Sequence, residues 1–276
     1  MKAIQSALIW AAEATIILLW LPLLAVVRLF DRDPAHYTTG RVFRFLGNLM
    51  TRVNPLWHIQ IEGDAPADPR LPYVVVSNHQ SNADIPVISR LPWEMKWVAK
   101  AEMFKVPVAG WLMRLAGDIA VDRRDPQSRA RVLTAAKHYL DRHCSVMFFP
   151  EGTRSRDGRV RGFATGAFRL AIDAGVPVLP LVIDGTRDAL PKHGWKFGNA
   201  ITARLRVLPP IPTDGLGPDD ADVLRERVRQ AIIAQIAAWR GENPDTVDAL
   251  AAPVDDAAGK AAGAPSDGVE ETAKLS

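Results

Sequence analysis

The stretch Tyr73-Val74-Val75-Val76-Ser77-Asn78-His79-Gln80-Ser81-Asn82-Ala83-Asp84 decides how the chain is read. Its first five residues form an uninterrupted run rich in valine, the pattern of a strand buried on both faces. A polar turn comes next, and then a short helix expected over 83–90. A sheet with one wet face would alternate polar and apolar residues, so this strand implies helices on both sides of its sheet. Outward from it the same theme repeats. Strands are expected at 57–61, 96–99, 118–121, 145–149, 178–184 and 201–207. Helices are expected at 108–115, 126–142 (with Pro126 in the first turn), 165–174 (stopped by Gly175) and 218–240. Strands alternating with helices give an α/β fold, a mainly parallel or mixed sheet flanked by helices, over residues 56–240.

Composition bounds the function classes. The chain has 276 residues, 48% hydrophobic and 24% charged, so it has enough material for a large packed core. A single cysteine excludes an internal disulfide framework and a cysteine-based zinc cage. The net charge of +3 hides an asymmetry. From Gly241 onward eight acids face two lysines, and Ala, Gly, Pro and Asp dominate without periodicity, so 241–276 reads as a disordered acidic tail. The body is correspondingly basic, and a basic body points to an anionic partner: nucleic acid, an acidic membrane face or a phosphorylated substrate.

The N-terminus favours the membrane over nucleic acid. Ala3 to Val27 is apolar except for Gln5, Ser6, Glu13 and Thr15. As a helix it would extend about 37 Å, against a hydrocarbon core of roughly 30 Å. Glu13 leaves only 14 uncharged residues before Arg28, so a helix lying in the interface and one that crosses are both open. A helix over 40–53 would place Val42, Phe45, Leu46, Leu49 and Val53 on one face and Arg41, Arg44, Asn48 and Arg52 on the other. That face rests on anionic headgroups, or else the helix packs on the domain with its arginines solvated. Residues 1–55 thus read as a membrane-associated helical pair. Arg28, Arg32, Arg41 and Arg44 come after the apolar helix, which puts that side in the cytoplasm.

In open α/β sheets, ligands bind beyond the C-terminal ends of the strands. Three strand endings carry chemistry: Ser77 to Asp84, Gly117 to Arg123, and Phe149-Pro150-Glu151-Gly152-Thr153-Arg154-Ser155. His79 and Asp84 can meet across a turn, the carboxylate holding one imidazole nitrogen protonated and leaving the other as a base. No Gly-x-Ser-x-Gly is present, so the nucleophile would be a substrate hydroxyl. The bland alternative is a chance pair with Asp84 capping a helix. Arg123 and Arg154 can converge on an anion, or each is a solvated charge. Glu151 either orients Arg154 or holds the loop, and Gly152 allows close backbone approach to a ligand. Cys144, in an apolar strand, reads as core. His138 and His143 lie off the spacing of a helical zinc pair.

These residues resemble the 1-acyl-sn-glycerol-3-phosphate acyltransferases and their glycerolipid relatives. His79-x-x-x-x-Asp84 is similar to the family's first block, whose histidine is the catalytic base and whose aspartate orients it. Gly117 to Arg123 looks like the second block. Phe149 to Arg154 looks like the third, which binds the acceptor's phosphate. Val176-Pro177-Val178-Leu179-Pro180 looks like the fourth, an apolar block tied to acyl-donor binding or packing. Lys100, in Val98 to Glu102, matches a common family lysine near the reacting carbonyl. The four blocks stand in family order over roughly residues 70–190.

The resemblance implies His79 and Asp84 as catalytic residues. It implies Arg154, Glu151, Gly152, Thr153, Arg123 and Lys100 as substrate-binding residues, with no metal and no cofactor. Lys100, or backbone amides near His79, would stabilise the oxyanion. The acyl group would pass from acyl-CoA or acyl carrier protein to the sn-2 hydroxyl of a membrane lysophospholipid, 1-acylglycerol-3-phosphate. That would take place at the cytoplasmic face of a bacterial inner membrane. Rival readings are an acyltransferase for another lysolipid (lyso-ornithine lipid or lysophosphatidylethanolamine), a membrane-bound lipid hydrolase, and a non-enzymatic basic module on anionic membranes.

Overall fold

The computed structural model describes residues 2–190 and 195–251. Two helices come first, α1 (Lys2–Phe30) and α2 (Tyr37–Val53). The strands are β1 (Trp57–Glu62), β2 (Val74–Ser77), β3 (Met95–Lys100), β4 (Ile119–Val121), β5 (Ser145–Phe148), β6 (Val178–Asp184) and β7 (Ile201–Val207). Between and after them lie α3 (Asp84–Ile88), a 3-10 helix Ala101–Lys105, and α4 (Ala109–Ala116). Then come α5 (Pro126–Leu140), α6 (Gly166–Ala174), α7 (Ala221–Arg240) and α8 (Pro244–Val247). The strands form one seven-stranded sheet in the order β1-β7-β6-β2-β5-β3-β4. Strands β6, β2, β5, β3 and β4 run parallel; β7 is antiparallel to β6, and β1 runs parallel to β7. The sheet is therefore mixed, and the C-terminal ends of five strands share one edge.

Alternation along β2 shows why it is apolar throughout. Val74 and Val76 pack with α5, α6 and α7 in one cluster, while Val75 joins Val87 and Ile88 of α3 in another on the opposite face. Each such fully buried aliphatic side chain contributes about 1.5–3 kcal/mol of transfer free energy. Helix α5 starts where Asp125 accepts a hydrogen bond from Gln127 N (2.8 Å) with Pro126 at its first position. That arrangement satisfies an amide the helix cannot pair internally.

The N-terminal pair departs from both readings at two of its arginines. Arg44 is buried and ion-paired with Asp118, itself the acceptor for Trp97 N (3.0 Å). Glu94 and Lys96 are buried beside them and paired at 3.1 Å, and Lys96 also donates to the carbonyls of His36 and Ala116. Burial raises the Glu94 carboxyl above its ordinary value. Arg41 donates to the carbonyls of Leu91 and Trp93. Two arginines of this face, Arg41 and Arg44, thus bolt α2 to the domain, while Arg52, a turn further on, is exposed and donates only to Asn48 of its own helix. Replacing Asp118 with Ala should cost about 3 kcal/mol, because it takes the hydrogen-bonded partner from a buried guanidinium and leaves it the Glu94 carboxylate at 3.7 Å. Urea denaturation reads this directly, and a change within about 0.5 kcal/mol would mean the quartet carries no stability.

Helix α1 is long and apolar enough to cross a membrane. One side of it is tied to the domain. Ser6 Oγ accepts from Phe197 N, Trp10 Nε1 donates to Trp195 O, and Trp20 Nε1 donates to Val42 O. Leu24 is buried with Leu46 and Leu112, the last from α4. Glu13 lies on the buried side, where desolvation pushes its carboxyl up to about 7. Ile4, Leu8, Leu18, Leu19, Leu23, Val26, Leu29 and Phe30 remain exposed.

The tail reading also needs correction at its start. Residues 241–251 are folded: Val247 is buried, and Asp248 pairs with the buried Arg229 (Nη1 to Oδ2, 3.0 Å). One buried apolar residue, Val247, in a polar stretch gives no periodic signal, so this strap leaves no pattern in the sequence. The remainder of the expected tail, 252–276, lies outside the described residues.

Candidate active site

His79 leaves β2 at the shared edge, and the turn beyond it returns Asp84 beneath the ring. His79 Nδ1 and Asp84 Oδ2 are 2.7 Å apart. The same oxygen accepts from the amides of Gln80 (2.7 Å) and Ser81 (3.0 Å), and Oδ1 accepts from the Thr186 hydroxyl. Asp84 is fully buried, and His79 is 13% exposed. Five residues of spacing therefore build a turn closed on a carboxylate. Because a carboxylate can only accept, the neutral ring carries its proton on Nδ1 and presents a lone pair on Nε2. The imidazole stacks on Phe149 (centroids 4.0 Å apart), which meets Trp97 edge-on at 5.9 Å.

The third strand ending closes over the first. Glu151 Oε1 accepts from His79 N (2.8 Å), and Oε2 accepts from Arg161 N (3.1 Å). Ser155 N donates to His79 O (2.8 Å). Of the two roles open to Glu151, the geometry supports holding the loop; Arg154 is exposed and bonds to no described residue. Gly152 sits at φ 70°, in a tight turn whose amide returns to Phe149 O, and a Cβ there would meet nothing within 4 Å. Thr153 is exposed beside it.

Burial pushes the Glu151 carboxyl up to about 7. Between its ordinary 4.5 and about 7 the folded chain holds this proton more tightly than the unfolded chain, so its contribution to stability falls as pH rises through that window. Thermal melts from pH 5 to 7.5 should show a steeper fall for the wild type than for the Glu151→Gln chain, in which the Glu13 carboxyl still titrates over the same window. Parallel melting curves would contradict it.

The second ending splits. Gly117 and Asp118 precede β4, at the opposite end of the sheet, and serve the helix terminus and the Arg44 pair. Asp122 and Arg123, beyond the end of β4, reach the shared edge; Asp122 N donates to Ser128 Oγ (3.0 Å), and Arg123 is the candidate ligand. There it lines an apolar groove of about 270 Å³ with Arg129, Val98, Val132, Phe149 and Gly152. Lys100, at the end of β3, is exposed and pairs with Glu102 at 3.2 Å. The amides expected to serve an oxyanion are taken: those of residues 79, 80 and 81 already donate to Glu151 and Asp84. Cys144 is buried, and its thiol is pushed up to about 12 by burial.

The site has further contributors: Asn78 and Gln80 stand inside the first strand ending, whereas Thr186, Asp184 and Arg240 lie outside all three. Thr186 stands just beyond β6, after Gly185, whose φ of 82° turns the chain; a Cβ there would lie 2.1 Å from Thr202 O. Asn78 ties the turn to β6, donating to Ile183 O (2.8 Å) and accepting from Ile183 N (3.0 Å). Gln80 Nε2 donates to Asp184, which Arg240 clamps with Nε at 3.0 Å and Nη2 at 2.7 Å. Gln80, Asp184 and Arg240 border a polar cavity of about 320 Å³ on the β6 side, opposite the apolar groove. The sequence signal for Thr186 is its position: it stands at the C-terminal end of β6, a fourth strand ending on the ligand-binding edge.

A base held against a buried carboxylate, between an apolar groove and a polar cavity, is the equipment of an enzyme that moves an apolar group onto a hydroxyl. The family model described as Acyltransferase matches residues 58–184. The human 1-acyl-sn-glycerol-3-phosphate acyltransferase alpha is 35% identical over 221 residues, 78% of this chain and 76% of that one. The Salmonella typhimurium 1-acyl-sn-glycerol-3-phosphate acyltransferase is 29% identical over 210 residues, 75% and 82% of the two chains. The crystal structure of the 1-acyl-sn-glycerophosphate acyltransferase PlsC from Thermotoga maritima superposes with a TM-score of 0.70 at 25% identity, covering 88% of this chain and 99% of that one. The protein is an acyltransferase. More narrowly, the chain belongs to the 1-acyl-sn-glycerol-3-phosphate acyltransferase family.

Proposed function

We propose that the protein acylates the sn-2 hydroxyl of 1-acylglycerol-3-phosphate, giving phosphatidic acid for phospholipid synthesis, with acyl-CoA or acyl carrier protein as donor. The observation that carries this reading is the His79–Asp84 contact, which leaves Nε2 as a base at a strand edge. Nε2 takes the hydroxyl proton as the oxygen attacks the thioester carbonyl. The C–S bond then breaks, and the departing sulfur takes the proton back from the imidazolium. The apolar groove beside Phe149 suits an acyl chain. With the amides around His79 occupied and that of Gly152 turned back to Phe149 O, Lys100 and the exposed Thr153 and Arg154 are the donors proposed for the oxyanion. Neither metal nor cofactor enters the proposed steps.

Arg154 and Arg123 are proposed to hold the acceptor's phosphate. Arg154→Ala should raise KM for lysophosphatidate by about tenfold or more, the worth of a charge-assisted hydrogen bond, with kcat little changed. A neutral monoacylglycerol acceptor should be unaffected; equal loss on both would mean the arginine is structural.

Helix α1 is proposed to lie in the cytoplasmic leaflet, its exposed stripe in lipid and its other side on the domain, where Glu13 escapes the hydrocarbon. The test of function is a purified-enzyme assay offering several lysolipids and both thioesters, with the His79→Ala chain as blank. Transfer only to an ornithine or ethanolamine lysolipid would move the reading to the rival acceptors.

A further inference from the structure

We propose that residues 103–111, the link from the 3-10 helix into α4, form a second membrane contact beside the helical pair, docking on an anionic bilayer. Met103 and Val106 are each 43% exposed and Trp111 is 51% exposed. Three large apolar side chains within nine residues thus face outward from a part of the chain outside α1 and α2. The link is built rather than loose. Phe104 is buried, Gly110 N donates to Val106 O (2.8 Å), and a Cβ on Gly110 would lie 2.2 Å from Phe104 O. Val108 adopts φ 63° and ψ −59°, with Ala109 N donating to Pro107 O (2.7 Å). That is a γ-turn of the strained kind, rare for a β-branched residue, and it costs on the order of 1–3 kcal/mol. Val108 itself packs onto the Leu24, Leu46 and Leu112 cluster, which holds the turn in place.

Two features select a lipid surface as the occupant. The first is continuity: α4 packs against both α1 and α2, so Trp111 sits on a helix adjoining the one that exposes Leu18, Leu19, Leu23, Val26, Leu29 and Phe30. The second is charge. Lys100, Lys105 and Arg114 are exposed around the three apolar residues, with Glu102 the one acid between Lys100 and Arg114. Tryptophan with flanking cations is the composition that settles at a membrane–water boundary. The link also leads directly from β3, whose C-terminal end lies on the edge that bears His79. A bilayer taking up Trp111 therefore abuts the active site, and a lysolipid reaches His79 by lateral movement. This inference rests on the proposed reading that the acceptor is a membrane lysolipid.

The full chain carrying Trp111→Glu is compared with wild type on two acceptors: long-chain lysophosphatidate in phosphatidylglycerol-containing vesicles, and hexanoyl lysophosphatidate dissolved as monomers. The expected result is a five- to tenfold loss of apparent kcat/KM on vesicles and a change of less than twofold on monomers. In parallel, Trp111→Cys, labelled with an environment-sensitive fluorophore, should blue-shift on vesicles and be quenched by brominated acyl chains. Unchanged vesicle kinetics, equal loss on both acceptors, or no quenching would each overturn the contact. A spectral shift that depends on protein concentration without vesicles would assign the face to a second copy instead. If wild type acylates neither acceptor, the functional reading fails, while the quenching still judges the contact independently.

Discussion

The His79→Ala enzyme should lose kcat by on the order of 10³-fold, the middle of the range for a general base. That corresponds to about 4 kcal/mol of barrier. The structure makes the loss specific. The imidazole is the group that Asp84 and Phe149 orient together, by the 2.7 Å contact and the ring stack. The loop itself is held by main-chain bonds that Ala preserves: residue 79 would still donate to Glu151 and accept from Ser155. The variant should therefore fold, with melting temperature close to wild type, and should bind both substrates and the membrane. A stable variant that keeps a tenth or more of wild-type turnover would show that another group removes the proton.

Asp84→Asn should be the next most severe, at on the order of 10²–10³-fold in kcat with KM for the acceptor near its wild-type value. Asn is the same size. Its oxygen can still accept from Gln80 N, Ser81 N and His79 Nδ1, and Thr186 can turn its hydroxyl to accept from the new amide. What vanishes is the negative charge that stabilises the imidazolium formed as the hydroxyl proton transfers. The loss should therefore appear in turnover and not in binding. A variant whose acceptor KM rises while kcat holds would remove the carboxylate from the chemistry and leave it as a loop support.

The sheet and its flanking helices are legible in the sequence because local pattern and tertiary burial agree. Runs such as Val74–Ser77 and Val178–Asp184 are apolar for the same reason that they are interior. The base and its carboxylate are legible because a single short turn carries both. Interactions between distant segments leave no such trace. Thr186 reaches Asp84 from 102 residues away, and Arg44 reaches Asp118 from 74. On a helix wheel Arg44 looks like a solvated charge, and only the buried acids beneath it reveal its partner. Asp118 in turn reads as part of a ligand-facing ending, although it lies at the N-terminal end of its strand. The occupied amides around His79 are likewise hidden, since a sequence does not say which main-chain donors a loop will use on itself.

The central claim is direct transfer from thioester to lipid hydroxyl by a histidine base, and an acid-quench experiment with a radiolabelled acyl thioester tests it most directly. With lysophosphatidate present, label should pass from thioester to phosphatidic acid with none on the precipitated protein, and without acceptor the thioester should persist. Label trapped on the protein, or free fatty acid released equally fast without acceptor, would contradict the account.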